Sequence, residues 1–153
     1  MYPLYIVLFF FSMIGYANLD KFTGEPDLNK VRAQALATNE IFYANAVKNY
    51  VIANPATSGT VAQGSLGLPT WYNNLGWTNN VTAGVITIYP ATVTFLGKNT
   101  EVSWELADKT SGSQLIGVNR SGQFYNPISG INAAITIPVG VPENAPVYIL
   151  TTK

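Results

Sequence analysis

The pattern of apolar and polar positions divides the chain into three stretches with different rhythms. The first is an unbroken apolar run: residues 4–17 read Leu-Tyr-Ile-Val-Leu-Phe-Phe-Phe-Ser-Met-Ile-Gly-Tyr-Ala, and no charge comes before Asp20. A spanning helix needs roughly 20 apolar residues, and this run reaches that length only with its flanks. Gly15-Tyr16-Ala17 offers the small residues that a signal peptidase reads, yet no Lys or Arg precedes the run. Residues 1–19 are therefore expected to be a membrane anchor or a signal segment, with residues 20–153 as one extracytoplasmic domain. Lys21, Lys30 and Arg32 follow the run, and the positive-inside rule taken alone would keep the body in the cytoplasm. Sparse charge, many Asn and Thr, and several β-type runs favour a body in the periplasm, either single-pass in the bacterial inner membrane or cleaved and released.

The second stretch has the period of a helix. Pro26 and Asp27 suit a first helical turn. Apolar residues then recur at Leu28, Val31, Ala35, Leu36, Tyr43, Val47, Tyr50 and Val51, widened by Phe42, Ala46 and Ile52. Asn54-Pro55 ends the run, because the residue before a proline is pushed out of the α region. The spacing predicts one long amphipathic helix over 27–54. Its stripe is expected to pack on the domain's own sheet, or to serve in part as a contact surface.

Residues 55–80 read as loop, punctuated by Gly and Pro and ending in the Trp71-Tyr72-Asn73-Asn74-Leu75-Gly76-Trp77 cluster. Such aromatics form either the edge of a core or an exposed binding platform. From Gly84 the period shortens to two. Strands are predicted over 85–89, 92–96, 100–106, 114–118, 131–139 and 145–152, with a turn around Arg120-Ser121-Gly122. Hairpin-length gaps argue for an antiparallel, meandering sheet over 84–152, and the class is α+β: one long helix packed on that sheet.

Composition then removes most chemistry. Eight basic and eight acidic residues cancel, so there is no electrostatic footprint for nucleic acid. With neither cysteine nor histidine in the chain, disulfides, the usual zinc sites and the commonest general base are all missing. Glu101 and Glu105, four apart on a predicted strand, share a face and superficially resemble a glycosidase pair. Alternation sets them opposite Val102, Trp104 and Leu106, on the solvated side, where nothing tunes a carboxylate. Lys109 with Ser111 and Ser113 reads as ordinary turn chemistry. Asn80-Val81-Thr82 and Asn119-Arg120-Ser121 match the glycosylation triplet, a short pattern met often by chance. No catalytic, metal-binding or cofactor-binding residue is assigned, and no enzyme is expected. The candidate interaction residues are Leu36, Tyr43, Val47 and Tyr50 on the helix and Trp71, Tyr72 and Trp77 in the aromatic cluster.

An apolar N-terminus, a long helix and a sheet make the layout of a type IV pilin. A prepilin, however, carries its glycine cleavage site before the apolar run and a glutamate just inside it. Here the Gly24-Glu25 pair comes after the run. The layout, with Gln34-Ala35-Leu36-Ala37-Thr38-Asn39-Glu40-Ile41-Phe42-Tyr43-Ala44-Asn45-Ala46-Val47 and Ile135-Thr136-Ile137-Pro138-Val139, more closely resembles the PilM family of conjugative thin-pilus (type IVb) clusters. That resemblance implies a non-enzymatic inner-membrane accessory of pilus assembly. Its partners would be other membrane or periplasmic pilus proteins, pilin among them, or further copies of the chain. The competing expectation is a secreted adhesin or carbohydrate-binding module that uses the aromatics.

Overall fold

A computed structural model of the chain describes residues 27–92, 99–111, 115–127 and 129–152. Among them the order is α1 (Leu28–Ala53), a 3₁₀ turn (Gln63–Ser65), β1 (Trp77–Thr82), β2 (Val85–Pro90), α2 (Asn99–Lys109), β3 (Ile116–Arg120), β4 (Gln123–Asn126), β5 (Ile131–Thr136) and β6 (Pro146–Thr151). The strands form one sheet in the order β1-β2-β6-β3-β4-β5, every neighbouring pair antiparallel. The architecture is α+β as expected, but the sheet is not a sequential meander. The last strand enters between β2 and β3 and joins the two hairpins.

Helix α1 starts and stops where its sequence says. Asp27 Oδ1 accepts from the Asn29 N–H at 3.0 Å, and the Asn54 N–H closes the last turn on the Tyr50 carbonyl at 2.9 Å. The buried face differs from the expected stripe. Ala33, Leu36, Ala37, Glu40, Tyr43, Ala44, Val47 and Val51 face inward, while Leu28, Val31 and Ala35 are exposed. The three alanines explain the rotation, because small side chains let α1 lie close against its neighbours where larger ones would hold it off.

A second correction falls on residues 100–106, expected as a strand and found in α2. Val102 and Leu106 lie four apart, so they share a face at either period. Trp104 decides between them: it is 50% exposed, whereas Val102, Ser103, Leu106 and Ala107 are buried in a helical i, i+1, i+4, i+5 pattern. Glu101 in the first turn and Lys109 in the last complement the helix dipole.

Two strands fall where none was expected. In β1, read as loop, Trp77, Asn79 and Val81 alternate inward, and the buried Asn79 disguises the pattern. In β4 the span is only four residues. The β1–β2 and β3–β4 hairpins both turn through two residues with positive φ, Ala83-Gly84 and Ser121-Gly122, the two-residue geometry that matches strand twist. The strand expected over 92–96 lies, from Val93 onward, outside the described residues.

The sheet is buried on both faces along β6. Tyr148 and Leu150 pack towards the helices, in the core that joins α1, α2, β1 and β2. Val147 and Ile149 point the other way, into a smaller core with Phe124, Ile137, Val141 and Ala145. Gly117 makes that second core possible. A Cβ there would stand 2.7 Å from the Phe124 ring and closer still to the Tyr125 carbonyl.

Candidate interaction surface

The sequence-nominated residues separate into two groups. Leu36, Tyr43, Val47 and Trp77 are buried in the main core, so their apolar surface is used within the chain. Tyr72 is buried at the margin of the same core, Tyr50 is half-buried and Trp71 is 73% exposed. Phe42, which the stripe touched only at its margin, joins the second group. Its ring lies 5.3 Å from that of Trp71 and stacks on Tyr72 at 5.4 Å and 21°.

Trp71 and Tyr72 are held beside α1 by polar contacts. The Tyr72 hydroxyl donates to Asn39 Oδ1 at 3.0 Å, and Asn39 Nδ2 donates to the Asn73 carbonyl at 3.1 Å. Asn74 Oδ1 then accepts from the Gly76 and Trp77 N–H groups, turning the chain into β1. Next to these aromatics runs an open groove of about 420 Å³. Phe42, Asn45, Asn49 and Tyr50 form one wall and residues 65–69 the other. Among the described residues no Asp, Glu, Lys or Arg lines it. Aromatic and amide groups on a fixed wall suit an uncharged partner surface.

Glu40 lies behind this surface, fully buried on α1. Neither carboxyl oxygen has a hydrogen-bond partner among the described residues. Desolvation holds its pKa well above the usual carboxylate range. Burial first, and Glu40 among the neighbouring charges, also pushes the Tyr72 and Tyr148 hydroxyls up. The alternation of apolar residues did not single Glu40 out. Its place inside the stripe, between Leu36 and Tyr43, is the signal that could have.

The remaining sequence candidates lie elsewhere. Glu101 and Glu105 share a face on α2, at a shallow pocket with Asp27, Lys30 and Trp104. Lys109 ends α2, and Ser113 lies outside the described residues. Asn119 is buried, with its amide donating to the Val141 carbonyl at 2.9 Å, which closes that glycosylation triplet to modification. Among the described residues no group of three or more Asp or Glu could hold a metal. No helix among them is long and apolar enough to cross a membrane, and the anchor or signal segment expected at 1–19 lies outside them.

A family model described as PilM matches residues 8–149, nearly the whole chain. The chain belongs to the PilM family. The crystal structure of a PilM protein from Escherichia coli B7A superposes with a TM-score of 0.61 over 82% of this chain and 97% of that one, at 16% identity. That likeness is one of fold. A PilM protein from Pseudomonas aeruginosa 2192 is 30% identical over 78% of this chain and 93% of its own, with a TM-score of 0.42. No curated protein matches the chain. PilM membership agrees with the resemblance carried by residues 34–47 and 135–139, and it makes the protein pilus-related.

Proposed function

We propose that this PilM protein is a non-enzymatic component of a type IV (conjugative thin) pilus assembly apparatus and works through protein contacts. In this reading residues 1–19 hold it in the inner membrane, and the body stands in the periplasm. The observation that carries the contact role is the exposed Trp71 ring packed beside Phe42, whose side chain lines an open groove along α1 with no charged residue among its described lining. A large aromatic left open to water next to a concave uncharged surface is the composition of an interface anchor. Its partners are other membrane or periplasmic pilus proteins, the pilin among them.

Complementation of a deletion strain tests this. Trp71→Ala should abolish pilus assembly or conjugation while the purified protein melts as the parent does. Unchanged assembly would remove the groove from the function. The exposed ring and the Asn45 and Asn49 amides also suit a sugar, so binding to immobilised oligosaccharides that vanishes in Trp71→Ala would favour the adhesin instead. For location, an intact Met1, membrane retention and protease access in spheroplasts are expected. A new N-terminus at Asn18 or a protease-shielded body would overturn the placement.

A further inference from the structure

The first turn of α1 stands clear of the body. Leu28, Asn29, Lys30, Val31 and Arg32 are all exposed. Consecutive residues step about 100° round a helix, so five in a row take in every side of it. Burial begins only at Ala33. Two of the projecting side chains are large and apolar: Leu28 is 77% exposed and Val31 50%. Trp104 of α2, also 50% exposed, lines a notch with Asp27, Lys30 and Ala33 beside this turn. Charges around the turn nearly cancel, with Asp27, Glu101 and Glu105 set against Lys30 and Arg32.

We propose that this turn is seated end-on in the lipid surface of the inner membrane, with Leu28 and Val31 in the apolar layer and Trp104 among the headgroups. The proposal rests on the reading of residues 1–19 as a membrane anchor, and it adds a lipid contact made by the body itself. The length of chain between the two selects lipid as the occupant. Only residues 20–26 separate the apolar run from Asp27. Seven residues span at most about 25 Å, so the turn cannot leave the neighbourhood of the bilayer. A tether of that length makes the contact intramolecular and raises its effective concentration, whereas a protein partner has to arrive from elsewhere. Depth agrees with this. The helix rises about 8 Å from Leu28 to Ala33, within the roughly 5–10 Å to which interfacial helices sink their apolar side chains. Indole rings favour the headgroup level, where Trp104 then lies. Lys30 and Arg32 share the turn, and their long stems let the charged ends rise to the headgroups. Because the charges nearly cancel, the contact is apolar and does not require anionic lipid.

The chain has no cysteine, so a single label can be placed by substitution. Full-length Leu28→Cys, Val31→Cys and Ile52→Cys proteins, each carrying the fluorophore NBD, would be reconstituted in phosphatidylcholine vesicles doped with doxyl-labelled phosphatidylcholine. All three positions are exposed and apolar in the parent. Ile52 lies about 36 Å beyond Leu28 along α1 and serves as the control. Doxyl lipid should quench the labels at positions 28 and 31 strongly and leave the label at 52 unquenched. Equal quenching at all three, or at none, would overturn the end-on seat. A label at 28 that is blue-shifted yet unquenched is covered by protein, a second copy included, and overturns the lipid assignment. The anchor is judged separately, by N-terminal sequencing and carbonate extraction of the same proteins from producing cells. An intact, retained chain with unquenched labels keeps the anchor and sinks the seat alone. A released chain that starts at Asn18 sinks the anchor, and with it the tether on which the seat depends.

Discussion

Asn79 of β1 donates to the Tyr43 hydroxyl of α1 at 2.7 Å, both residues buried. The same amide holds the chain ahead of the strand: Asn79 Nδ2 donates to the Val61 carbonyl at 3.0 Å, and Oδ1 accepts from the Val61 N–H at 2.8 Å. Two bonds between Gly59 and Val81 continue the clasp, so the outer edge of β1 is covered at that point rather than open. One polar side chain thus fastens helix, edge strand and loop.

Asn79→Ala should be among the more damaging single changes. It leaves the Val61 N–H and carbonyl unpaired in the interior, and each such group costs about 1–3 kcal/mol. A loss of roughly 2–4 kcal/mol in urea unfolding is expected, together with faster amide exchange at Val61 and Val81. A loss under about 1 kcal/mol would mean that water replaces the amide.

Glu40 should make the protein less stable as pH rises. Its folded pKa lies above the unfolded value near 4.5, so its neutral form contributes fully below that value. The contribution is lost as pH climbs from there towards the raised folded pKa. Glu40→Gln removes the ionisation, so urea midpoints from acidic to neutral pH should flatten and end higher than those of the parent. Parallel curves for the two proteins would show that Glu40 is not the titrating group.

Gly117→Ala should destabilise through the second core, because the added methyl meets the Phe124 ring and the Tyr125 carbonyl. Overpacking of this kind costs about 1–3 kcal/mol. Differential scanning calorimetry would read it as a lowered melting temperature, partly restored by Phe124→Leu.

Val47→Asp and Tyr50→Asp should part ways, although both lie on the same helix. Val47 is fully buried, and an aspartate there is an unpaired charge in the core, so loss of the fold is expected by circular dichroism. Tyr50 is half-buried on the groove wall, so Tyr50→Asp should keep the fold and impair assembly. A folded Val47→Asp protein would contradict the packing described for α1.

Some of this molecule can be read along the chain, because the forces that decide it act between near neighbours. The ends of α1 follow from the Pro26-Asp27 start and the Asn54-Pro55 stop, and the β3–β4 turn from Ser121-Gly122. The β character of 85–90, 116–120, 131–136 and 146–151 follows from alternation and β-branched residues. The same information misassigned 99–109, since Val102 and Leu106 satisfy both periods and Trp104 has a defined face only once α2 lies against α1. It missed β1 because Asn79 is polar yet buried, which makes sense only when Tyr43 and Val61 are brought to it across 36 and 18 residues. Packing likewise decided which side of α1 became core and left the uncharged side outward, and it set Trp71 against Phe42. These outcomes depend on contacts between residues far apart in sequence, and burial acts on whichever surfaces the whole chain brings together.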